Sequence, residues 1–383
     1  MRTLLHSVRL VDDERIVEDA WVLFDGGRVA ARGTGDEIPD AATAVDGRAV
    51  AGHGAILTPG FIDLHGHGGG GFSYDDGPDA IRSARALHRA HGTTRAVVSL
   101  VTAPLETLER RAAMVADLVE TDADILGSHL EGPFLDPGHK GAHDPSLLRA
   151  PEPAAVERLL AAGRGTVRQV TIAPELAGGL HAIRAVVAAG AAAAVGHTDA
   201  DADTARAAFD AGATILTHAF NAMPGLHHRA PGPIGAAASD PRVTIEVIAD
   251  GVHLAPEIVR IAFAAAPGRV ALVTDAMAAA GAADGRYELG PLAVDVVDGV
   301  ARLSGGGAIA GSTLTQDAAL RLAVASGVAL TDAVVALTRV PARAIGRHDL
   351  GGLAGGMAAD AVLLTGDLVV AGVWAGGDAV APA

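Results

Sequence analysis

From about Thr58 to Gly346 the chain alternates short apolar runs with longer amphipathic stretches, and this rhythm restricts the fold more than any other feature. The runs are GFIDLHGHG, TTRAVVSLVT, ADILGSHLEGPF, VRQVTIAPE, AAAAVGHTDA, ATILTHAFNAM, VTIEVIADGVH and RVALVTDAM. Between them lie helix-period segments such as PDAIRSARALHRAHG, PLETLERRAAMVADLVE, LHAIRAVVAAG and DADTARAAFDAG, several of which end in Gly as a helix C-terminus should. Eight strand–helix repeats in one unit predict an α/β fold, a (β/α)8 TIM-type barrel. A doubly wound sheet is the alternative, but it would not need eight units.

The chain ends have a different texture. LLHSVRLV and AWVLFDGGRVAARG read as short strands, with Asp25-Gly26-Gly27 as a hairpin turn, and ADAVLLTGDLVVAGVWAGG returns to the same style near the C-terminus. The expectation is a small β-sandwich domain formed by residues 1–57 and 346–383, flanking a metal-dependent hydrolase barrel over 58–345.

Composition narrows the chemistry. The chain contains no Cys, which excludes disulfides, thiolate metal sites and cysteine nucleophiles. With 29 Lys+Arg against 45 Asp+Glu the net charge is −16, which argues against nucleic acid or an anionic membrane as the main partner. The N-terminal residues carry acids where a secretory signal needs an apolar core, so the expected location is cytoplasmic.

Polar residues stand at the C-terminal tips of nearly all the proposed strands: His65, His67, Glu131, His197, His218, His253 and Asp275. In a barrel those tips converge on one mouth, where the active sites of this fold are built. His65 and His67, two apart on an extended segment, face the same side and suit one metal ion. Any one of these histidines alone reads as a hydrogen-bonded or solvated side chain. The set of four with Glu131 points to a divalent cation, with zinc, iron or manganese favoured over calcium. Asp275 is placed to move a proton between water and a leaving amine, the competing reading being a helix N-cap. His143 and His253 are candidates for polarising a carbonyl or binding substrate oxygens, or else exposed loop histidines. The segment HAFNAMPGLHHRAPGPIGAA carries the only asparagine, Asn221, and a basic patch at His227, His228 and Arg229. An arginine there suits a phosphate or carboxylate, the plainer reading being a solvated loop.

Taken in order, PGFIDLHGHG, HLEGPF, KGAHD, GHTDA, THAFNAMP, ADGVH, TDAM, AGSTLT and GGLAGGMAADAVLL resemble the amidohydrolase superfamily, and within it the branch of N-acetylglucosamine-6-phosphate deacetylases. The resemblance covers almost the whole chain and implies a metal-dependent hydrolysis of N-acetyl-D-glucosamine 6-phosphate to D-glucosamine 6-phosphate and acetate. It also implies that Glu131, His197 and His218 hold the principal metal and that His65 and His67 serve a second site. Asp275 would be a metal ligand and the acid/base, and His143 would polarise the acetamido carbonyl. Asn221, Ala222, His143, His253 and Arg229 would recognise the amino sugar phosphate, the arginine reaching in from the neighbouring subunit of a homodimer. Many binuclear relatives bridge their metals with a carboxylated lysine on the fourth strand. Here VRQVTIAPE has none, and the single lysine, Lys140, follows strand three, which leaves Glu131 as the bridge. The alternatives are the galactosamine epimer, another N-acyl substrate, and a non-catalytic sugar-phosphate-binding barrel.

Overall fold

The computed structural model describes residues 2–13, 15–35, 37–305 and 307–381. Of the segments expected above, Met1, Glu14, Asp36, Gly306, Pro382 and Ala383 lie outside the described residues.

Eight parallel strands form one sheet in sequence order: β1 (Phe61–Asp63), β2 (Thr93–Val101), β3 (Ile125–Glu131), β4 (Val167–Ile172), β5 (Ala192–Val195), β6 (Ile215–Leu216), β7 (Thr244–Ile248) and β8 (Val270–Val273). The helices that follow them are α1 (Pro78–Ala90), α2 (Leu105–Thr121), α3 (Pro153–Ala162), α4 (Gly179–Ala188), α5 (Ala202–Asp210), α6 (Gly232–Ser239), α7 (Pro256–Ala265) and α8 (Gln316–Ala325). The fold is a TIM-type barrel, and the expected rhythm maps onto it strand for strand. Pro opens α1, α3 and α7, where its missing N–H costs no helical bond, and Asp201 caps α5 by accepting from the Thr204 amide.

The strand ladder among the described residues stops short of pairing β8 with β1. Two devices close that seam. Toward the strand starts, the buried Gln316 amide donates to the carbonyls of Ile62 on β1 (2.9 Å) and Leu272 on β8 (3.2 Å). Just beyond the strand ends, the Asp275 amide donates to the His65 carbonyl (2.8 Å) and the His67 amide to the Ala276 carbonyl (2.7 Å). Closure therefore locks together two of the segments that carry polar side chains.

A three-stranded antiparallel sheet (Gly285–Leu289, Leu292–Val297 and Val300–Leu303) is inserted between β8 and α8, and its Leu289 reaches the barrel mouth. Both chain ends meet in a second eight-stranded sheet, in which Ile56–Pro59 lies between Thr3–Asp12 and Ala361–Leu364. Backbone bonds from Val29 to Met357 (2.9 Å) and from Ala359 to Gly27 (3.0 Å) fold that sheet over on itself, so that Leu5, Val22, Phe24, Val29, Leu363 and Trp374 share one apolar cluster.

The inside of the barrel is not purely apolar. Ser99 Oγ meets His129 Nδ1 at 2.9 Å, His129 Nε2 meets Thr171 Oγ1 at 2.8 Å, and Thr171 meets Thr217 at 3.1 Å, all fully or nearly fully buried. Such a chain of satisfied polar groups stiffens the floor beneath the mouth.

Candidate active site

The ends of five strands, β1, β3, β5, β6 and β8, deliver polar residues to one place. Glu131, the last residue of β3, is the hub. Its Oε1 lies 3.1 Å from His65 Nε2, 3.2 Å from His197 Nε2 and 3.3 Å from His218 Nε2. Its Oε2 lies 3.0 Å from His67 Nε2 and 3.6 Å from His143 Nε2. Asp275 Oδ1 completes the group, 3.3 Å from His67 Nε2 and 3.5 Å from His65 Nε2. All seven residues are buried.

Folding them into this arrangement strains the backbone. Among the described residues, eleven non-glycine residues have positive φ, and five of them are His197 (47°), His218 (26°), Phe220 (76°), Ala222 (49°) and Asp275 (49°). A positive φ costs a residue with a Cβ, and it persists where surrounding bonds over-determine it. Those bonds are on hand. The carbonyl of His139 accepts from His197 Nδ1 (2.9 Å), and the Glu175 carboxylate accepts from the Thr198 hydroxyl (2.5 Å) and the Asp199 amide (2.6 Å).

The donor set fits a divalent cation. His65, His67, Glu131 and Asp275 offer ligand atoms within 4.8 Å of one another, and Glu131, His143 and His197 form a second such group. His218 Nε2 also stands 2.9 Å from His197 Nε2. Imidazole nitrogens this close, gathered on shared carboxylate oxygens, are over-supplied with lone pairs, which is what a cation relieves. Two overlapping groups that share Glu131 have room for one ion or two. Lys140 takes no part; its Nζ reaches the Gly141 carbonyl at 3.4 Å.

The electrostatics follow from burial and crowding. Burial opposes ionisation of Glu131, yet the neighbouring histidines, His65 first, hold its carboxyl well below the usual range. Asp275 behaves alike: burial raises it, but His65 and His67 bring it down to about 2. His143 is pushed down to about 3 by burial and by His197, so its ring is neutral. Its Nδ1 meets the Thr102 hydroxyl at 2.8 Å. His253 is drawn upward despite its burial by Asp250, whose Oδ2 lies 2.7 Å from Nδ1.

Over the cluster opens a cavity of about 330 Å³, walled by Asn221, Ala222, His253 and His143 on polar sides and by Val101, Ala142, Leu289 and Ile309 on apolar ones. Asn221 Nδ2 donates to the carbonyls of His218 and Ala219 (both 3.3 Å), leaving its oxygen unengaged by these bonds. Arg229 is the exception among the expected residues. It is exposed beside His227 and His228 and does not line the cavity of the single chain.

Sequence reasoning missed the groups that aim these side chains. Asp63 accepts from the His65 amide (3.2 Å) and the Thr274 hydroxyl (2.6 Å), tying β1 to β8; burial lifts its carboxyl to about 6. Thr102, Asp250 and Glu246 were missed as well. An acid inside an apolar strand, as in VTIEVIAD or FIDLHGHG, was the available signal.

Comparison with known proteins agrees with this architecture. The sequence profile of the amidohydrolase family matches residues 56–380. The chain belongs to the amidohydrolase family. Among its relatives, an N-acetylgalactosamine-6-phosphate deacetylase of Escherichia coli O157:H7 is 39% identical over 98% of both chains. An N-acetylglucosamine-6-phosphate deacetylase of Vibrio furnissii is 37% identical over 84% of this amidohydrolase and 82% of the relative. A solved mutant of N-acetyl-D-glucosamine-6-phosphate deacetylase from Mycobacterium smegmatis, in complex with N-acetyl-D-glucosamine-6-phosphate, superposes with a TM-score of 0.94 at 46% identity, covering 99% of each chain.

Proposed function

We propose that this amidohydrolase hydrolyses N-acetyl-D-glucosamine 6-phosphate to D-glucosamine 6-phosphate and acetate, with zinc as the first choice of cation and iron or manganese as the others. The observation that carries the reading is the convergence of four histidines on Glu131, with Asp275 alongside, beneath a cavity that also holds His143, Asn221 and His253. In this reading Glu131, His197 and His218 hold the principal cation and His65 and His67 a second, with Glu131 shared and Asp275 adjoining. A divalent cation held there would supply Lewis acidity and so lower the pKa of the attacking water toward ~7.

The chain's own groups then do the following. Asp275, as a carboxylate, accepts the proton released as water attacks the acetyl carbon. It returns that proton to the sugar nitrogen as the C–N bond breaks, so that water is divided between acetate and amine. His143 donates to the acetyl oxygen as negative charge develops there. Being neutral, it has one N–H to give, and the Thr102 hydroxyl decides which nitrogen bears it. The Thr102 hydroxyl, 2.8 Å from His143 Nδ1, has one hydrogen; given to Nδ1 rather than to the Glu131 carbonyl at 3.3 Å, it leaves the ring proton on Nε2, the tautomer this reading requires. Asn221, the Ala222 backbone and His253 orient the sugar phosphate, and Arg229 completes the phosphate site from the partner subunit of a homodimer. The remote phosphate contributes binding energy to orientation.

A second reading has its own support, because the relative matched over 98% of both chains is named for the galactosamine epimer. Acetate release measured on both epimers, with metal content determined on the same sample, separates the cases. A higher kcat/KM on the glucosamine substrate supports the first reading, and a higher value on its epimer replaces it. Failure of the metal-loaded protein to release acetate from either overturns both.

A further inference from the structure

Glu246 is buried completely within the barrel, at the centre of strand β7 between Ile245 and Val247, and the mechanism above makes no use of it. Its carboxylate meets three groups. Oε1 accepts from Gln169 Nε2 on β4 at 2.8 Å. Oε2 accepts from the backbone amide of His218 at 3.3 Å and lies 3.3 Å from His65 Nδ1. The carbonyl of the same residue accepts from the Ala219 amide at 2.8 Å. Glu246 therefore grips the chain on both sides of the strained His218, whose φ is 26°, and holds the ring of His65 on the far side of the cluster.

We propose that Glu246 is a positioning residue that serves both halves of the cation site at once. This rests on the metal-site part of the reading above. Two of its partners, an amide NH2 and a backbone N–H, can only donate. The third, His65, must carry its proton on Nδ1 if Nε2 is to face Glu131 and a cation as a lone pair. A carboxylate, which only accepts, satisfies all three as they stand; an amide in its place does so only when Gln169, whose Oε1 has no partner, turns over to accept, and an apolar side chain satisfies none. A carboxylate behind a ligating imidazole also fixes the ring and raises its donor strength, and loss of such a partner lowers metal affinity about 10–100-fold. Here one carboxylate reaches His65, beside His67 and Asp275, and the backbone of His218, beside His197. Its removal should weaken both ions together rather than one.

The donor–acceptor argument sets the test. Glu246→Leu removes every acceptor, whereas Glu246→Gln keeps an oxygen for His65 and His218 once Gln169 has turned over. Zinc is titrated by chelator competition into metal-free wild type, E246L and E246Q, alongside the melting of each metal-free protein. The expected result is a loss of zinc affinity of about 10–100-fold at every site of E246L, with E246Q losing clearly less. Unchanged affinity in E246L, or an E246Q no better than E246L, overturns the proposal. If E246L does not fold, Glu246→Asp, one methylene short of these partners, carries the test, and it must bind zinc about tenfold or more weaker than wild type at every site. Wild-type protein that binds no zinc, iron or manganese overturns the metal-site reading itself, a result distinct from any of these.

Discussion

Where the barrel strands begin, Arg95 and Asp360 pair through two hydrogen bonds of 2.6 and 2.9 Å, and Arg85 divides itself between Asp124 (3.2 Å) and the Thr93 carbonyl (2.7 Å). Arg269 meets the carbonyls of Val243, Ala238 and Asp240 at 2.6 to 2.9 Å. Where the strands finish, six imidazoles and carboxylates crowd together with no Arg or Lys among their ion-pair partners in the described residues, on a backbone with five positive φ angles at or beside the cluster. One end pairs each charge with its opposite or with a carbonyl; the other gathers like groups and relies on a cation to complete them. In a barrel the first arrangement serves stability and the second serves chemistry. Substitutions at the two ends should therefore fail in different currencies.

The largest effect is expected at the mouth. Asp275→Asn should lower turnover by roughly 10⁴-fold, the upper range for loss of a general acid–base, while zinc remains bound in elemental analysis; turnover within tenfold of wild type would remove Asp275 from its role. At the other end, Asp360→Ala leaves the Arg95 guanidinium, only 12% exposed, without its partner. A cost of about 3–5 kcal/mol is expected in denaturant melts, with unchanged turnover per folded molecule. If turnover fell instead, the division between the two ends would be wrong.

His88 sharpens the contrast through pH. It is buried on α1 with Nε2 2.8 Å from the Gly68 carbonyl, and burial, aided by the charge of Arg85, pushes it down to about 4. Between that value and the unfolded value of about 6.5 the unfolded chain binds more protons, so stability rises with pH across the window and is lost as pH falls through it. At full strength this is worth about 3 kcal/mol. His88→Gln, which can keep a donor without titrating, should flatten that part of the melting profile; an unaltered slope would show that another group carries it. Smallest is Arg229→Ala, for which KM for the phosphorylated sugar should rise about tenfold, or about 1.4 kcal/mol, and, on the proposed homodimer, dilution of wild type to the monomer should mimic it. A KM insensitive to both would put the phosphate site elsewhere.

Much of the barrel was legible because each strand and helix declares itself locally, through apolar runs and turn residues a few positions apart. The ligand candidates were legible for the same reason: a polar residue at a strand end stands out against Val, Ile and Ala. The roles of Glu246, Thr102 and Asp63 were not, since the cross-strand partners that define them lie 28 to 211 residues away and show only when the strands are set side by side. Arg229 was legible as a cation in an acidic chain, yet its own subunit leaves it exposed and off the cavity wall.

By itself the chain of residues determined the periodicity of the barrel, the absence of thiol chemistry and the order in which imidazoles and carboxylates reach the strand tips, because these depend on neighbours along the backbone. Only the closed barrel decided which oxygen faces which nitrogen, which ring is held by Glu246 or Thr102, and which residues bear positive φ. Those are matters of a few tenths of an ångström between distant strands, and they arise when packing and buried hydrogen bonds must be satisfied together.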